Sequence, residues 1–282
     1  MDKITKLEQK ILKLMINGDS LASSKIHQAM IKDEVVALVT IKRLLSQMVR
    51  AKLLTITGSG RATEYAISIK GRVLADINAQ KYCSVEPDKR IGLHGYNFDL
   101  LAKLPSDIFS TEELKQLAMA TVEYHQRTTD LSPVIAKKEL ERLIIELSWK
   151  SSKIEGNTYT LLDTEKLILE NKEAPGHDKA EAQMILNHKT AFTYVHEHAD
   201  NFKTLTRKNL EELHSLLVKG LSVQLGLRQK PVGVLGSIYR PLDNGQQILE
   251  AVEALSQAVT KITSPYAKAL MALVGLSYIQ PF

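Results

Sequence analysis

The 282-residue sequence has few residues that could crosslink the chain or anchor it in a membrane. Cys83 is the single cysteine, which excludes an internal disulfide framework and agrees with a reducing compartment. The segment Met1–Leu14 has no continuous apolar stretch and so is not typical of a secretory signal. The longest apolar run lies between Lys268 and Gln280 and is about half as long as a transmembrane helix. We therefore expect a soluble, cytoplasmic protein without a membrane partner.

The overall composition is that of a folded protein, with 44% hydrophobic, 24% charged and 5% aromatic residues. A chain of this length buries roughly three quarters of the surface that its unfolded form exposes. The length predicts about two domains. We place the first at 1–80 and the second at 111–282, with a connector at 81–110 that contains two prolines, two glycines and little periodicity.

The positive charge is concentrated near the N-terminus. Residues 1–70 carry twelve Lys or Arg against six Asp or Glu, a net charge of +6. The other 212 residues carry 25 against 26, a net charge of −1. A local basic excess favours a polyanionic partner such as DNA, although a solvated lysine-rich surface would have the same composition.

The first domain has three segments with the apolar spacing of amphipathic helices. They cover residues 4–16, 23–30 and 34–51. We expect Ser23 or Ser24 to cap the second helix, because a serine hydroxyl can accept a hydrogen bond from a free N–H of the first turn.

After the third helix the pattern changes to that of a β-hairpin. The runs 53–57 and 63–69 are strand-like, and the glycine-containing segment 58–62 joins them. Three helices followed by a hairpin resemble the winged helix-turn-helix module, whose third helix enters the major groove of DNA.

The polar face of the third helix carries side chains that can donate to phosphates and to base edges. The candidate DNA-binding residues there are Thr40, Lys42, Arg43, Gln47 and Arg50. Arg61, at the tip of the wing, is expected to reach a phosphate or the minor groove. Two alternatives stay open: some winged helices contact only proteins, and 58–62 is also the pattern of an ordinary tight turn.

From Ser110 onward the sequence predicts a mainly helical second domain, beginning with a capped helix at Ser110. Helices are predicted over 111–127, 137–152, 162–170, 179–199, 207–218, 245–263 and 266–279. The segment 232–239 is β-branched and glycine-containing, which favours a short hairpin. The expected fold class is mainly α, a winged helix-turn-helix followed by an all-helical domain with a short hairpin.

Four segments of this second domain, taken in order, resemble the Fic (Fic/DOC) family over residues 96–282. The segments are SWKSSKIEGN at 148–157, LEELHSLLVKG at 210–220, GSIYRP at 236–241 and SYIQPF at 277–282. The whole chain is similar to bacterial Fic proteins that carry an N-terminal winged helix. The resemblance implies a helical Fic core in which the hairpin serves as a flap.

Fic enzymes transfer AMP from ATP to a Ser, Thr or Tyr hydroxyl of a protein, using the histidine of the motif HPFxxGNGRxxR as general base. Here the motif position reads Gln280-Pro281-Phe282, and the sequence ends there. A glutamine amide is not basic and can only form hydrogen bonds. The resemblance implies ATP and Mg²⁺ as cofactors, but the family's phosphate- and magnesium-binding residues follow this tripeptide. We therefore expect this chain to be inactive in AMP transfer.

The resemblance also implies two regulatory elements. Ser151, Glu155 and Gly156 fit the inhibitory pattern S/T-x-x-x-E-G/N, whose glutamate pairs with the second arginine of the Fic motif and excludes the ATP γ-phosphate. The same residues also fit a helix end with glycine at the C′ position. The family's flap, which aligns an extended segment of the target protein by strand addition, is matched by Val234, Leu235, Gly236, Ser237, Ile238 and Tyr239.

The leading hypothesis is a regulatory or signalling protein that binds DNA through residues 1–70. One alternative is a self-inhibited protein adenylyltransferase, should the native chain be longer. The other is an adaptor that holds only protein partners. No metal site is predicted, because His196 and His198 are two residues apart and face different sides of a helix. Formation of a homo-oligomer is left open.

Overall fold

The computed structural model describes residues 4–16, 18, 20–31, 36–90, 92–106, 108–233 and 237–282. These residues are mainly helical and contain a three-stranded antiparallel sheet. The chain divides into two compact units. Unit 1 comprises Met1–Glu113, Val232–Pro241 and Lys261–Ala267, and unit 2 comprises Leu114–Pro231, Leu242–Thr260 and Lys268–Phe282. Among the described residues, no helix combines the length and the apolar character needed to traverse a lipid bilayer.

Unit 1 begins with three helices, α1 (Lys6–Met15), α2 (Ser23–Met30) and α3 (Leu38–Arg50). A capping box starts α1. The Glu8 backbone N–H donates to the Thr5 hydroxyl, and the Thr5 backbone N–H donates to the Glu8 carboxylate at 2.7 Å. The third helix begins at Leu38, whereas the sequence predicts a start at residue 34; residues 32–35 lie outside the described part of the chain.

The sheet consists of β1 (Leu21–Ala22), β2 (Leu54–Thr57) and β3 (Glu64–Ile67) in the order β1-β3-β2. The predicted hairpin is formed by β2 and β3, with Leu54 opposite Ile67 and Thr57 opposite Glu64. The sequence does not indicate β1, because two residues are too few to show an alternating pattern.

The predicted serine cap of α2 is wrong. Ser23 and Ser24 lie inside the helix, and the N-cap is Ala22, which provides no side-chain hydrogen bond. The reason is tertiary: Ala22 pairs with Glu64 of β3 and is held in an extended conformation up to the first helical residue.

The hydrophobic core of unit 1 joins the three helices to the sheet. From α3 it takes Ile41, Leu45 and Met48, each 0% exposed and spaced so that they share one helix face. The other buried members are Ile11, Leu12, Met15, Ile26, Met30, Leu53, Leu54 and Tyr65. Burial of one face of α3 leaves its opposite face to solvent.

Short helices complete the described part of unit 1: α4 (Ile69–Leu74), α5 (Ala79–Cys83) and α6 (Asp99–Lys103). The predicted connector, 81–110, therefore contains helical residues. Ser68 caps α4, because its hydroxyl accepts a hydrogen bond from the Gly71 N–H at 2.9 Å.

The remaining helices lie mostly in unit 2. They are α7 (Thr111–Thr129), α8 (Pro133–Ile154), α9 (Leu161–Glu170), α10 (Lys179–Glu197), α11 (Arg207–Leu217), α12 (Gly245–Lys261) and α13 (Pro265–Ile279). All seven predicted segments are helical. The largest difference between the predicted and observed helix bounds is at α8. This helix begins four residues earlier than predicted, because Ser132 caps it and Pro133 fits the first turn. A cluster of Ile145, Tyr159, Leu167, Ile168, Ala182 and Ile185 packs α8, α9 and α10 together.

Replacement of Gly71 by alanine is expected to destabilise unit 1. The new Cβ would lie 2.2 Å from the Leu53 carbonyl oxygen and 3.0 Å from Ile67 Cγ1, and the backbone oxygen cannot rotate away. We expect the free energy of unfolding to fall by about 2 kcal/mol, measured by urea denaturation and by faster amide exchange in α3. The control is Gly245→Ala, where no described atom lies within 4 Å of the new Cβ. Equal stability of the two variants would contradict the steric argument.

Candidate functional site

The face of α3 opposite the core forms a continuous exposed stripe. Its exposed residues are Val39, Lys42, Arg43, Ser46, Gln47 and Arg50. Four of the five residues predicted on this helix to contact DNA are therefore brought together on one side. Thr40 is half-buried and lies at the edge of the stripe, three residues before Arg43 and seven before Gln47.

The stripe carries positive charge that no carboxylate of the described residues pairs with. The helix contains no Asp or Glu. Within the described part of the chain, none of Lys42, Arg43 and Arg50 forms an ion pair. Their ammonium and guanidinium groups are therefore free to bind an external polyanion.

Contacts at both ends hold α3 in place. At its start, His27 Nε2 of α2 lies 2.8 Å from the carbonyl oxygen of Val36, two residues before the helix. At its end, the Leu53 N–H donates to the Met48 carbonyl at 2.8 Å, while Lys52 adopts a φ of 60°. The stripe is thus carried by a helix that is anchored to α2 and continues directly into β2.

Arg61 lies at the tip of the connection between β2 and β3. It is exposed within a short 3₁₀ turn, Gly60–Ala62. Gly58 enters this turn with a φ of 72°, and a Cβ there would lie 2.2 Å from the Ala62 carbonyl oxygen. A glycine is therefore required for the tight tip that presents Arg61 to solvent.

A second candidate site lies at residues 280–282 in unit 2, where Arg228 holds the backbone. Arg228 is 7% exposed. Its guanidinium donates to four carbonyl oxygens, those of Gln280, Leu242, Lys230 and Ile279. Its backbone N–H donates to the Pro281 carbonyl at 2.9 Å. Sequence reasoning missed this residue, because an arginine in a loop has no periodicity that would mark it as buried.

Gln280 occupies the end of α13 with a φ of 51°, in the left-handed region. Its backbone N–H donates to the Leu276 carbonyl, and its side-chain Nε2 donates to the Ser277 carbonyl, each at 2.8 Å. The side-chain amide is therefore engaged with its own helix, and it has no basic nitrogen with which to accept a proton.

His214 of α11 packs against the last residue of the tripeptide. Its ring stacks on Phe282, with centroids 4.4 Å apart and an interplanar angle of 19°. The side chain is buried, and Nδ1 has no hydrogen-bond partner among the described residues. Burial lowers the pKa of His214, because it disfavours the charged imidazolium.

The predicted inhibitory residues lie at the end of α8. Glu155 is the C-cap and is exposed, and Gly156 follows with a φ of 92°. The Gly156 N–H donates to the Lys153 carbonyl and the Asn157 N–H to the Ser152 carbonyl. This is the helix-end geometry that the sequence also allowed. Glu155 forms no ion pair with a described residue, and an inhibitory role for Ser151, Glu155 and Gly156 stays a prediction.

Half of the predicted flap can be located. Val234, Leu235 and Gly236 lie outside the described residues, whereas Ser237, Ile238 and Tyr239 are described and belong to no strand. Residues 231–233 and 237–241 thus do not themselves form the expected hairpin. Binding of a target protein there stays a prediction. The described residues also contain no group of His, Cys, Asp and Glu side chains placed to hold a metal ion.

The fold of this chain is similar to that of a known protein structure. One similar solved structure is that of a Fic family protein from Desulfovibrio desulfuricans G20, with 20% sequence identity and a TM-score of 0.50. The chain has a Fic-like helical fold. The match covers 62% of this chain and 53% of the Desulfovibrio chain, so this chain spans about half the length of that protein. No protein-family model and no curated protein matches the sequence.

Within the Fic-like fold, Arg228→Ala is expected to be strongly destabilising. It removes charged hydrogen bonds worth about 1.5–3 kcal/mol each and leaves several buried carbonyls unpaired. We expect a loss of about 3 kcal/mol in the free energy of unfolding, measured by urea denaturation. The control, Arg207→Ala, removes only an exposed ion pair with Glu211 and should cost about 0.5 kcal/mol. A loss no larger than that of the control would refute the role of Arg228.

Stability is expected to depend on pH through His214. Because burial lowers its pKa below the ordinary value of about 6.5, the unfolded state binds the proton more tightly. The stability contributed by neutral His214 is complete above that value and is lost as the pH falls below it. We expect the urea midpoint to fall less steeply between about pH 7 and pH 5 in His214→Phe than in the wild type. Some dependence should persist, because burial also lowers the pKa of His188. The exposed control His196→Gln should keep the wild-type slope, and a wild-type slope in His214→Phe would count against this assignment.

Proposed function

We propose that unit 1 contains a winged helix-turn-helix module that binds double-stranded DNA through α3 and the connection between β2 and β3. The observation that carries the proposal is the basic stripe on α3, opposite the face that the core buries, whose cations form no ion pair with the described residues. The element order α1-β1-α2-α3-β2-β3, with a three-stranded antiparallel sheet, resembles that module. The net charge of +6 on residues 1–70 supports the same partner.

The dimensions of α3 suit the major groove. Its thirteen residues give a length of about 20 Å, and the groove is about 12 Å wide, enough to admit a helix. Lys42 and Arg50 would bind phosphates on either side of the groove, while Arg43 and Gln47 would reach base edges. Arg61 would contact the backbone or the minor groove beside the wing.

For unit 2 we propose a regulatory role built on the Fic-like fold. The Gln280 amide is not basic and donates to the Ser277 carbonyl, which favours a regulatory role for unit 2 and not catalysis of AMP transfer. The inactivity of this chain in AMP transfer, the family's ATP and Mg²⁺ binding, a protein target at the flap, self-association and a cytoplasmic location stay predictions.

DNA binding is expected to weaken steeply with salt. Each phosphate contact releases condensed counterions, so the logarithm of the affinity falls by about 0.9 per contact for each logarithmic unit of salt. Fluorescence anisotropy with a random-sequence 30-bp duplex at 50, 100 and 200 mM KCl measures the slope. Three to four phosphate contacts predict a slope of about −3. Binding that is absent at every salt concentration would leave the adaptor as the function of unit 1.

The double charge reversal Arg43→Glu/Arg50→Glu is expected to abolish binding at 100 mM KCl, because it replaces two cations of the stripe by anions. The matched control is Arg127→Glu/Arg142→Glu, which changes the net charge equally at exposed positions of α7 and α8. The control should keep more than half of the wild-type affinity. Equal losses in the two variants would mean that overall charge, and not α3, governs binding.

A further inference from the structure

Val39 is a strongly exposed apolar residue on the basic stripe of α3. It is 74% exposed, more than any other large apolar side chain among the described residues up to position 80. A single exposed apolar side chain is ordinary on a protein surface. The other exposed residues of α3 are polar or basic (Lys42, Arg43, Ser46, Gln47 and Arg50), except Leu38, which is only 37% exposed.

The position of Val39 within the helix places it beside these donors. It lies in the first turn of α3, three residues before Lys42 and four before Arg43, so the three side chains are neighbours on the helix surface. Residues in the first turns of a recognition helix are the ones that contact base edges. Val39 therefore occupies a position from which a base edge is read.

We propose that Val39 contacts the C5-methyl group of a thymine in the major groove, and that the protein consequently prefers DNA with a 5-methylpyrimidine facing the first turn of α3. The inference rests on the DNA binding proposed above. The thymine methyl is the apolar group that the major-groove edge presents, and its usual protein partner is an apolar side chain. The two methyl groups of valine provide such a partner without any hydrogen bond left unpaired.

The helix geometry also gives the register of this contact. Four residues separate Val39 from Arg43 and correspond to about 6 Å along the axis. Successive base pairs are about 3.4 Å apart. The methyl group should therefore lie within about two base-pair steps of the base that Arg43 contacts.

The test compares duplexes that differ only in pyrimidine methyl groups. The probes are 24-bp alternating d(A-T) and d(A-U) duplexes, which share the same phosphates and the same hydrogen-bonding edges. A second pair is alternating d(G-C) with cytosine or 5-methylcytosine, where the methyl group is added at the equivalent ring position. Affinities are measured for the full chain by fluorescence anisotropy at 100 mM KCl.

The wild type should bind d(A-T) about fourfold more tightly than d(A-U), because burial of one methyl group stabilises the complex by an amount that corresponds to about this factor. Its affinity for d(G-C) should rise by a similar factor when 5-methylcytosine replaces cytosine. Val39→Ser should remove both preferences. Val39→Thr, which keeps one methyl group, should retain part of them. The control Val122→Ser alters an exposed valine of α7, 54% exposed, and should keep both preferences.

Each contrary outcome separates this inference from the proposal on which it rests. Equal binding of the wild type to methylated and unmethylated duplexes overturns the methyl contact and leaves DNA binding intact. A methyl preference that persists in Val39→Ser assigns it to another residue and also overturns the inference. A wild type that binds none of the four duplexes overturns DNA binding itself.

Discussion

Burial of Ile41, Leu45 and Met48 is the constraint on which the candidate DNA interface depends. Each of these side chains is fully buried against α1, α2 and the sheet, and each contributes about 2 kcal/mol. Rotation of α3 about its axis would expose all three together, at a cost of about 6 kcal/mol. The same contacts that stabilise unit 1 thus determine that Lys42 and Arg43 face solvent. Stability and the direction of the basic stripe are two consequences of one packing arrangement.

In unit 2 the candidate site at residues 280–282 is instead held by the hydrogen bonds of a buried arginine. Arg228 donates to carbonyl oxygens of two segments, 230–242 and 279–281, which are separated in sequence by α12 and α13. Phe282 then packs on His214. Residues 279–282 are held by these two side chains, of which Arg228 lies outside the four segments that carry the Fic resemblance and His214 lies within one of them.

The seven helices of the second domain and the three of the first could be predicted from apolar periodicity, because each buries one face. The failures share a different cause. The cap of α2 moved to Ala22 because β1 pairs with β3, a contact between residues 22 and 64 that no local pattern records. Arg228 was missed because burial of a polar side chain depends on neighbours from other segments.

By itself the sequence determined the helical class, the hairpin and the location of the basic charge, since these follow from the spacing of apolar residues and from a count of ionisable groups. The tertiary structure alone decided which donors share an exposed face, that Thr40 at its edge is half-buried, and that Val39 is exposed on it. It also decided which groups hold residues 280–282. The physical reason is that a side chain's exposure and partners depend on how its element packs against residues far away in the chain.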